Sequence, residues 1–213
     1  MKNLYPLYID LKDRKCLIIG GGKVAERKIE QLLDYNCSIK VVSLGVEDKI
    51  KSWAHQGLIQ LFQREFQLSD LKEVFLVFVA TDNEQVNAEL SKMCRERGIL
   101  VNAVDDPPHC DFYVPSILKR NSLVLAISTG GKSPAFARRL RQELEEIITP
   151  AYGEFVDILG EQRELIKERI EDIAVRKQIF EELVYSDVLD LLKAGEKEKA
   201  REKVTQCMSY WLE

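Results

Sequence analysis

The feature that most constrains this chain is a run of three glycines, Gly20-Gly21-Gly22, set between the apolar stretch Cys16-Leu17-Ile18-Ile19 and a helix-period segment that begins at Lys23. Four consecutive apolar residues read as a strand buried on both faces, as parallel strands are when helices cover a sheet from either side. From Lys23 to Tyr35 the apolar positions Val24, Ile29, Leu32 and Leu33 recur at helical spacing among charged residues, which predicts an amphipathic helix. Continued through Val24 and Ala25, the turn reads G-x-G-x-x-A, and a strand before it with a helix after it is the setting in which that pattern cradles a dinucleotide. Gly20 permits the tight turn, Gly22 lets backbone approach a pyrophosphate with no Cβ in the way, and the amides opening the helix carry partial positive charge toward the anion. A glycine-rich turn that holds no ligand would use the same residues. The acidic residue expected near the end of the second strand, where ribose hydroxyls bind, is missing: the chain there reads Val42-Ser43-Leu44-Gly45. No arginine stands nearby in sequence for a 2′-phosphate, so this feature leaves NAD and NADP both open.

Short apolar runs alternate with helical segments through the first half, the pattern of a parallel sheet with crossover helices. A second strand is predicted at Ile39–Val42, a helix from Glu47 to His55, and a weaker strand at Leu58–Phe62. The clearest strand, Val74–Ala80, is rich in β-branched and aromatic residues. Thr81-Asp82-Asn83 then supplies a cap for a helix that runs to Arg97 and closes at Gly98. Ile99–Val104 is the fifth strand and leads into Asp105-Asp106-Pro107-Pro108. Beyond it, Phe112–Leu118 and Ser122–Ser128 have no helix between them and are expected to pair antiparallel around Arg120-Asn121. Ser133 caps and Pro134 opens a helix with the apolar stripe Phe136, Leu140, Leu144 and Ile147. From Pro150 to near Trp211 only helical periodicity remains. The fold class is therefore α/β: a Rossmann-type parallel sheet, then a small antiparallel segment, then a C-terminal helical region. The corresponding domains are residues 1–112, 113–148 and 149–213.

Composition narrows the function classes. No apolar run among the 213 residues approaches the roughly 20 that a membrane-spanning helix needs. The start, Met1-Lys2-Asn3-Leu4-Tyr5-Pro6, has no apolar run behind its lysine, so no secretory signal is read there and the cytoplasm is the expected location. A net charge of −4 opposes broad binding to nucleic acid, which needs a cationic surplus on one face. Five cysteines at irregular spacing are expected to be free thiols. His109-Cys110-Asp111 contains metal-ligating types, but neighbours in one loop rarely converge on one ion, and no metal site is expected. Lys119, Arg120, Lys132, Arg138, Arg139 and Arg141 form a local basic surplus that an anionic partner could meet, or a solvated helix face.

Gly20-Gly21-Gly22-Lys23-Val24-Ala25-Glu26-Arg27-Lys28, Val101-Asn102-Ala103-Val104-Asp105 and Ile127-Ser128-Thr129-Gly130-Gly131-Lys132-Ser133-Pro134, in that order, resemble the precorrin-2 dehydrogenases that form the N-terminal module of siroheme synthases. The resemblance also takes in Ala80-Thr81-Asp82-Asn83 and Pro115-Ser116-Ile117-Leu118, and so covers essentially the whole chain. It implies a homodimer that binds NAD and a tetrapyrrole, with an NAD-binding Rossmann domain (1–112), a central dimerisation and tetrapyrrole-binding segment (113–148) and a C-terminal helical domain (149–213), and the oxidation of precorrin-2 to sirohydrochlorin. Asp105 matches the family's essential carboxylate and would act as general base; read from the residues alone, it is equally a turn-forming aspartate before Asp106-Pro107. Lys23, Val24, Leu44 and Gly45 match cofactor-contacting positions, to which the strand ends add Gly20, Gly22, Ser43, Thr81 and Asp82. Ser128, Gly130, Gly131, Lys132 and Arg138 are the expected substrate-binding residues, through backbone amides and cations. Two rival functions stay open: the same enzyme with sirohydrochlorin ferrochelatase activity added, and an NAD-sensing regulatory module without catalysis.

Overall fold

The structure, a computed structural model, describes residues 4–81, 83–104 and 106–212. The chain forms two compact units that divide between Val114 and Pro115. The first contains β1 (Lys15–Ile19), α1 (Lys23–Leu32), β2 (Ser38–Val42), α2 (Asp48–His55), β3 (Gln60–Phe62), β4 (Leu76–Val79), α3 (Glu84–Glu96) and β5 (Leu100–Ala103). The strands form one parallel sheet in the order β3-β2-β1-β4-β5. Alternation along β1 builds the layers. Cys16 and Ile18 face Ala25 and Ile29 of α1 with Ile50 and Trp53 of α2, while Leu17 and Ile19 face Leu90 and Cys94 of α3. Burying each such Leu or Ile contributes about 1.5–3 kcal/mol, so the glycine turn is anchored at the end of a strand buried from Cys16 to Ile19.

Several elements are shorter than their apolar patterns. The helix predicted to Tyr35 ends at Leu32 and tightens into a single 3-10 turn, Leu33–Tyr35, closed by Asn36 in the left-handed region at φ 52°. β4 starts at Leu76: the Phe75 amide still donates to the Lys15 carbonyl of β1 at 2.9 Å, but Val74 before it donates to the Leu71 carbonyl in a turn. α3 is capped by the Asn83 side chain, which accepts from the amides of Gln85 and Val86, and Gly98 ends it at φ 68°.

The second unit opens with the antiparallel hairpin β6 (Ser116–Arg120) and β7 (Leu123–Ile127), paired from Ser116↔Ile127 to Arg120↔Leu123. Its turn is Asn121-Ser122, one residue later than expected, with Asn121 at φ 49°. Of the residues expected in this strand, Phe112 to Val114 belong to the first unit instead: Phe112 and Val114 pack on its core, and Phe112 meets Phe78 edge-on at 5.5 Å. Five helices follow: α4 (Pro134–Ile147), α5 (Pro150–Arg169), α6 (Ile173–Val184), α7 (Val188–Lys193) and α8 (Lys197–Leu212). Phe155, Ile166, Ile179, Leu183, Val188, Val204 and Met208 form the common core of α5 to α8. The expected apolar stripe of α4 is covered only at its centre: Leu140 and Leu144 are half-buried, whereas Phe136 and Ile147 are 54% and 60% exposed. Among the described residues no helix is long and apolar enough to cross a membrane.

Candidate functional site

In this sheet the chain crosses to one side after β1 and to the other after β3, so a crevice opens at the carboxyl ends of β1 and β4, where ligands bind in such folds. The glycine turn sits at that point. Gly20, at φ 122°, lies so close to β4 that a Cβ there would stand 2.1 Å from the Ala80 carbonyl oxygen. Gly21 is equally constrained: its Cβ would fall 2.1 Å from the Gly45 carbonyl, 2.6 Å from Val46 and 2.9 Å from the Ser43 hydroxyl. The pattern assigned that middle position to any residue; contact with the β2–α2 loop makes it glycine. Gly22 differs, with nothing within 4 Å of where a Cβ would be. It is the N-cap of α1 and offers no side-chain cap, so the first-turn amides of α1 are left for a ligand.

A cavity of about 1200 Å³ opens over this turn and brings together Gly20, Gly22, Lys23, Val24, Ser43, Leu44, Gly45 and Thr81, with Gly21 and Ala80. Asp82, the remaining expected cofactor contact, lies outside the described residues. Lys23 is exposed and pairs with Glu47 at 2.9 Å and Glu26 at 3.2 Å, and those carboxylates, Glu47 first, raise its pKa. The Ser43 hydroxyl donates to the Gly45 carbonyl at 2.8 Å, which holds the β2–α2 loop against Gly21. Thr81 is fixed by Asn87: its hydroxyl donates to the Asn87 side-chain oxygen at 2.5 Å, and the Asn87 amide returns a bond to its carbonyl at 3.0 Å. Asn87 escaped the sequence reading; the signal was a polar residue on the buried face of α3.

The wall of the cavity also contains Arg64, and here the reading that no arginine waits near the end of β2 is corrected. Nearness along the chain is not nearness in the sheet: β3 lies beside β2, and the Phe62 carbonyl accepts from the amides of both Ser43 (3.2 Å) and Arg64 (3.0 Å). Asp70, buried, accepts from both terminal nitrogens of Arg64 (2.8 and 2.7 Å), from Lys40 Nζ (2.7 Å) and from the Gln67 amide (2.8 Å). These donors, Arg64 foremost, hold the Asp70 carboxyl well below the usual carboxylate range. Arg64 and Lys40 also stand over the Phe62 ring at 5.2 and 4.8 Å.

Val24, Ala80 and Thr81 also line a second cavity of about 680 Å³ that continues toward the end of β5, bounded by Val104, Asp106, Pro107, Pro108 and His109. His109 Nδ1 lies 2.6 Å from the Asp106 carboxylate. The loop is tied back to the sheet at three points. Asn102 donates to the Phe112 carbonyl at 2.9 Å, the Cys110 thiol to the Ala103 carbonyl at 3.0 Å, and Asp111 accepts from Arg95 Nε at 2.8 Å and the Val101 amide at 3.1 Å. His109, Cys110 and Asp111 thus turn to different partners. Asp105, the expected general base, lies outside the described residues, between Val104 and Asp106.

The expected substrate residues are all in the second unit. Ser128 Oγ accepts from the Gly130 amide at 3.1 Å, and Gly130 and Gly131 take φ of 62° and 82° to turn the chain into Ser133, which caps α4. Lys132 and Arg138 are exposed, and among the described residues neither makes an ion pair. Three other cations of the basic surplus serve the fold: Arg120 Nε donates to the Ile148 carbonyl at 3.0 Å, Arg139 pairs with Glu143 and Arg141 with Glu145.

Residues 7–116 match the family model described as "Putative NAD(P)-binding". Residues 120–147 match "Sirohaem biosynthesis protein central", and residues 151–208 match "Sirohaem synthase dimerisation region". The chain belongs to the NAD(P)-binding family of sirohaem biosynthesis proteins. Among curated members it is 36% identical to siroheme synthase 1 of Pectobacterium atrosepticum over 204 residues, covering 96% of this chain and 42% of that one. It is also 36% identical to the siroheme synthase of Thioalkalivibrio sulfidiphilus, over 99% of this chain and 43% of that one. The chain thus spans less than half the length of these relatives. Of solved structures, it is similar to SirC, precorrin-2 dehydrogenase, with a TM-score of 0.78 and 26% identity over 95% of this chain and 100% of that one.

Proposed function

We propose that this member of the family is an NAD-dependent precorrin-2 dehydrogenase, oxidising precorrin-2 to sirohydrochlorin. The observation that carries this reading is the likeness of nearly the whole chain to a precorrin-2 dehydrogenase, joined to a glycine cradle that opens on a cavity. A dinucleotide fits there. Gly22 and the free amides of α1 would hold the pyrophosphate, Ser43 to Gly45 the adenosine ribose, and the cavity continuing from Val24 and Thr81 toward Val104 leaves room for the nicotinamide end. When bound, the nicotinamide supplies the hydride acceptor.

The chain itself must supply the proton acceptor, and Asp105 is the residue we assign to it, since its neighbours Val104 and Asp106 both line the second cavity. Ser128, Gly130 and Gly131 offer a turn before a helix N-terminus, and Lys132 and Arg138 offer unpaired cations, to the carboxylates that edge the macrocycle. Function then divides along the chain as nucleotide binding in 1–112, tetrapyrrole binding in 113–148 and helical support in 149–213. The match of residues 151–208 to a dimerisation region supports a homodimer in which the helical segment takes part, rather than the central segment 113–148 to which the sequence resemblance assigns dimerisation. The cytoplasm is the compartment we infer for it, in keeping with free thiols at all five cysteines.

Precorrin-2 and NAD incubated with the protein should develop the sirohydrochlorin absorption, and Asp105→Asn should slow this by about a hundredfold or more while NAD binds as before. Full turnover in that variant sinks the assignment of the base. No sirohydrochlorin from the unaltered protein sinks the activity.

A further inference from the structure

We propose that Arg64, clamped by buried Asp70 beside the end of β2, reads the ribose 2′ position, so that the site accepts the 2′-phosphorylated dinucleotide NADP(H) as well as NAD(H). This rests on the reading of the large cavity as a dinucleotide site. In a sheet of this order the adenosine ribose meets the end of the second strand, and Ser43-Leu44-Gly45 places no carboxylate there to demand a free 2′-hydroxyl. The place is filled from β3. Arg64 and Ser43 hang from the same Phe62 carbonyl, and both line the cavity.

Arg64 is also built to serve. Asp70 takes one N–H from each terminal nitrogen and the Glu65 carbonyl takes another from Nη1, which leaves Nε–H and one Nη2–H among its five donors. The guanidinium is held by two bonds to a buried carboxylate and lies against Phe62, so little side-chain freedom is lost when it meets a ligand. Lys40 shares Asp70, so the cluster of two cations and one carboxylate keeps one net positive charge beside the cavity. Glu65, exposed on the same wall, is the opposing charge. It suits a free 2′-hydroxyl and disfavours a phosphate, which is why both nucleotides are expected to bind.

Titration of the protein with NADH and NADPH, followed by nucleotide fluorescence, tests this without the tetrapyrrole. The unaltered protein should bind the two within about tenfold of each other, and Arg64→Gln should weaken NADPH by about ten- to a hundredfold while changing NADH by less than about threefold. Glu65→Gln, at an exposed position, should tighten NADPH and provides a second variant should Arg64→Gln not fold. In the unaltered protein, adenosine 2′,5′-bisphosphate should bind more tightly than AMP, and less so as salt rises. Binding of NADH without NADPH, or equal loss of both in Arg64→Gln, overturns the role of Arg64. Failure of both nucleotides to bind the unaltered protein overturns the dinucleotide site itself.

Discussion

Gly20 and Gly22 stand two positions apart and meet opposite demands. At Gly20 the backbone lies in the left-handed region against β4, and an added methyl has only the Ala80 carbonyl to strike. At Gly22 the backbone is extended and the methyl would project into open space. Gly20→Ala is therefore expected to destabilise the protein by about 2–4 kcal/mol, from backbone strain and overpacking together. Gly22→Ala should leave the free energy of urea unfolding within about 0.5 kcal/mol of the unaltered protein and yet weaken NADH binding by roughly tenfold or more, because the methyl occupies the approach to the α1 amides. Equal stability loss in the two variants would mean that Gly22 is structural. Both glycines were legible in the sequence from the motif, whereas the crowding of Gly21 was not, because Gly45 and Val46 reach it only through the fold of the β2–α2 loop.

At the scale of elements, the edge strand β3 is the least self-sufficient part of the sheet: it is three residues long and, among the described residues, pairs only with β2. What holds the chain beyond it is the 3-10 turn Leu68–Leu71, whose Asp70 gathers Arg64, Lys40 and the Gln67 amide. The Asp70 pKa in the fold lies below its ordinary 3.8, so its pairing contributes fully above about pH 4 and is lost as pH falls through the lowered value. Asp70→Asn should cost about 2 kcal/mol at pH 7, with Arg64 and Lys40 partly solvated and so only partly stranded, and should flatten the fall of stability with acid below pH 4. An unchanged acid slope in the variant would assign that dependence to other carboxylates. Capping was readable locally, as Asn83 and Ser133 bear out, because a cap needs only the next three residues. Strand ends were not, because β4 stops where β1 ceases to offer partners.

At the scale of the whole molecule, the two units have separate cores, and the second leaves apolar side chains in water: Ile173 is 79% exposed and Tyr185 87%. Both lie within the matched dimerisation region. If they anchor self-association, Ile173→Glu with Tyr185→Glu should weaken the dimer by roughly tenfold or more in sedimentation, since buried aromatic anchors dominate such interfaces. A dimer of unchanged strength would place the contact elsewhere. Apolar periodicity and the order of glycine, asparagine and proline punctuation determined the fold class, the parallel sheet and the position of the glycine cradle, because those depend on neighbours within a few residues. Only the tertiary structure decided that Arg64 stands beside Ser43, that Asp70 is the carboxylate fixing it, and that Arg120 is spent on the end of α4. Those pairings join residues six to twenty-eight positions apart through strand order and helix packing, which local patterns do not encode.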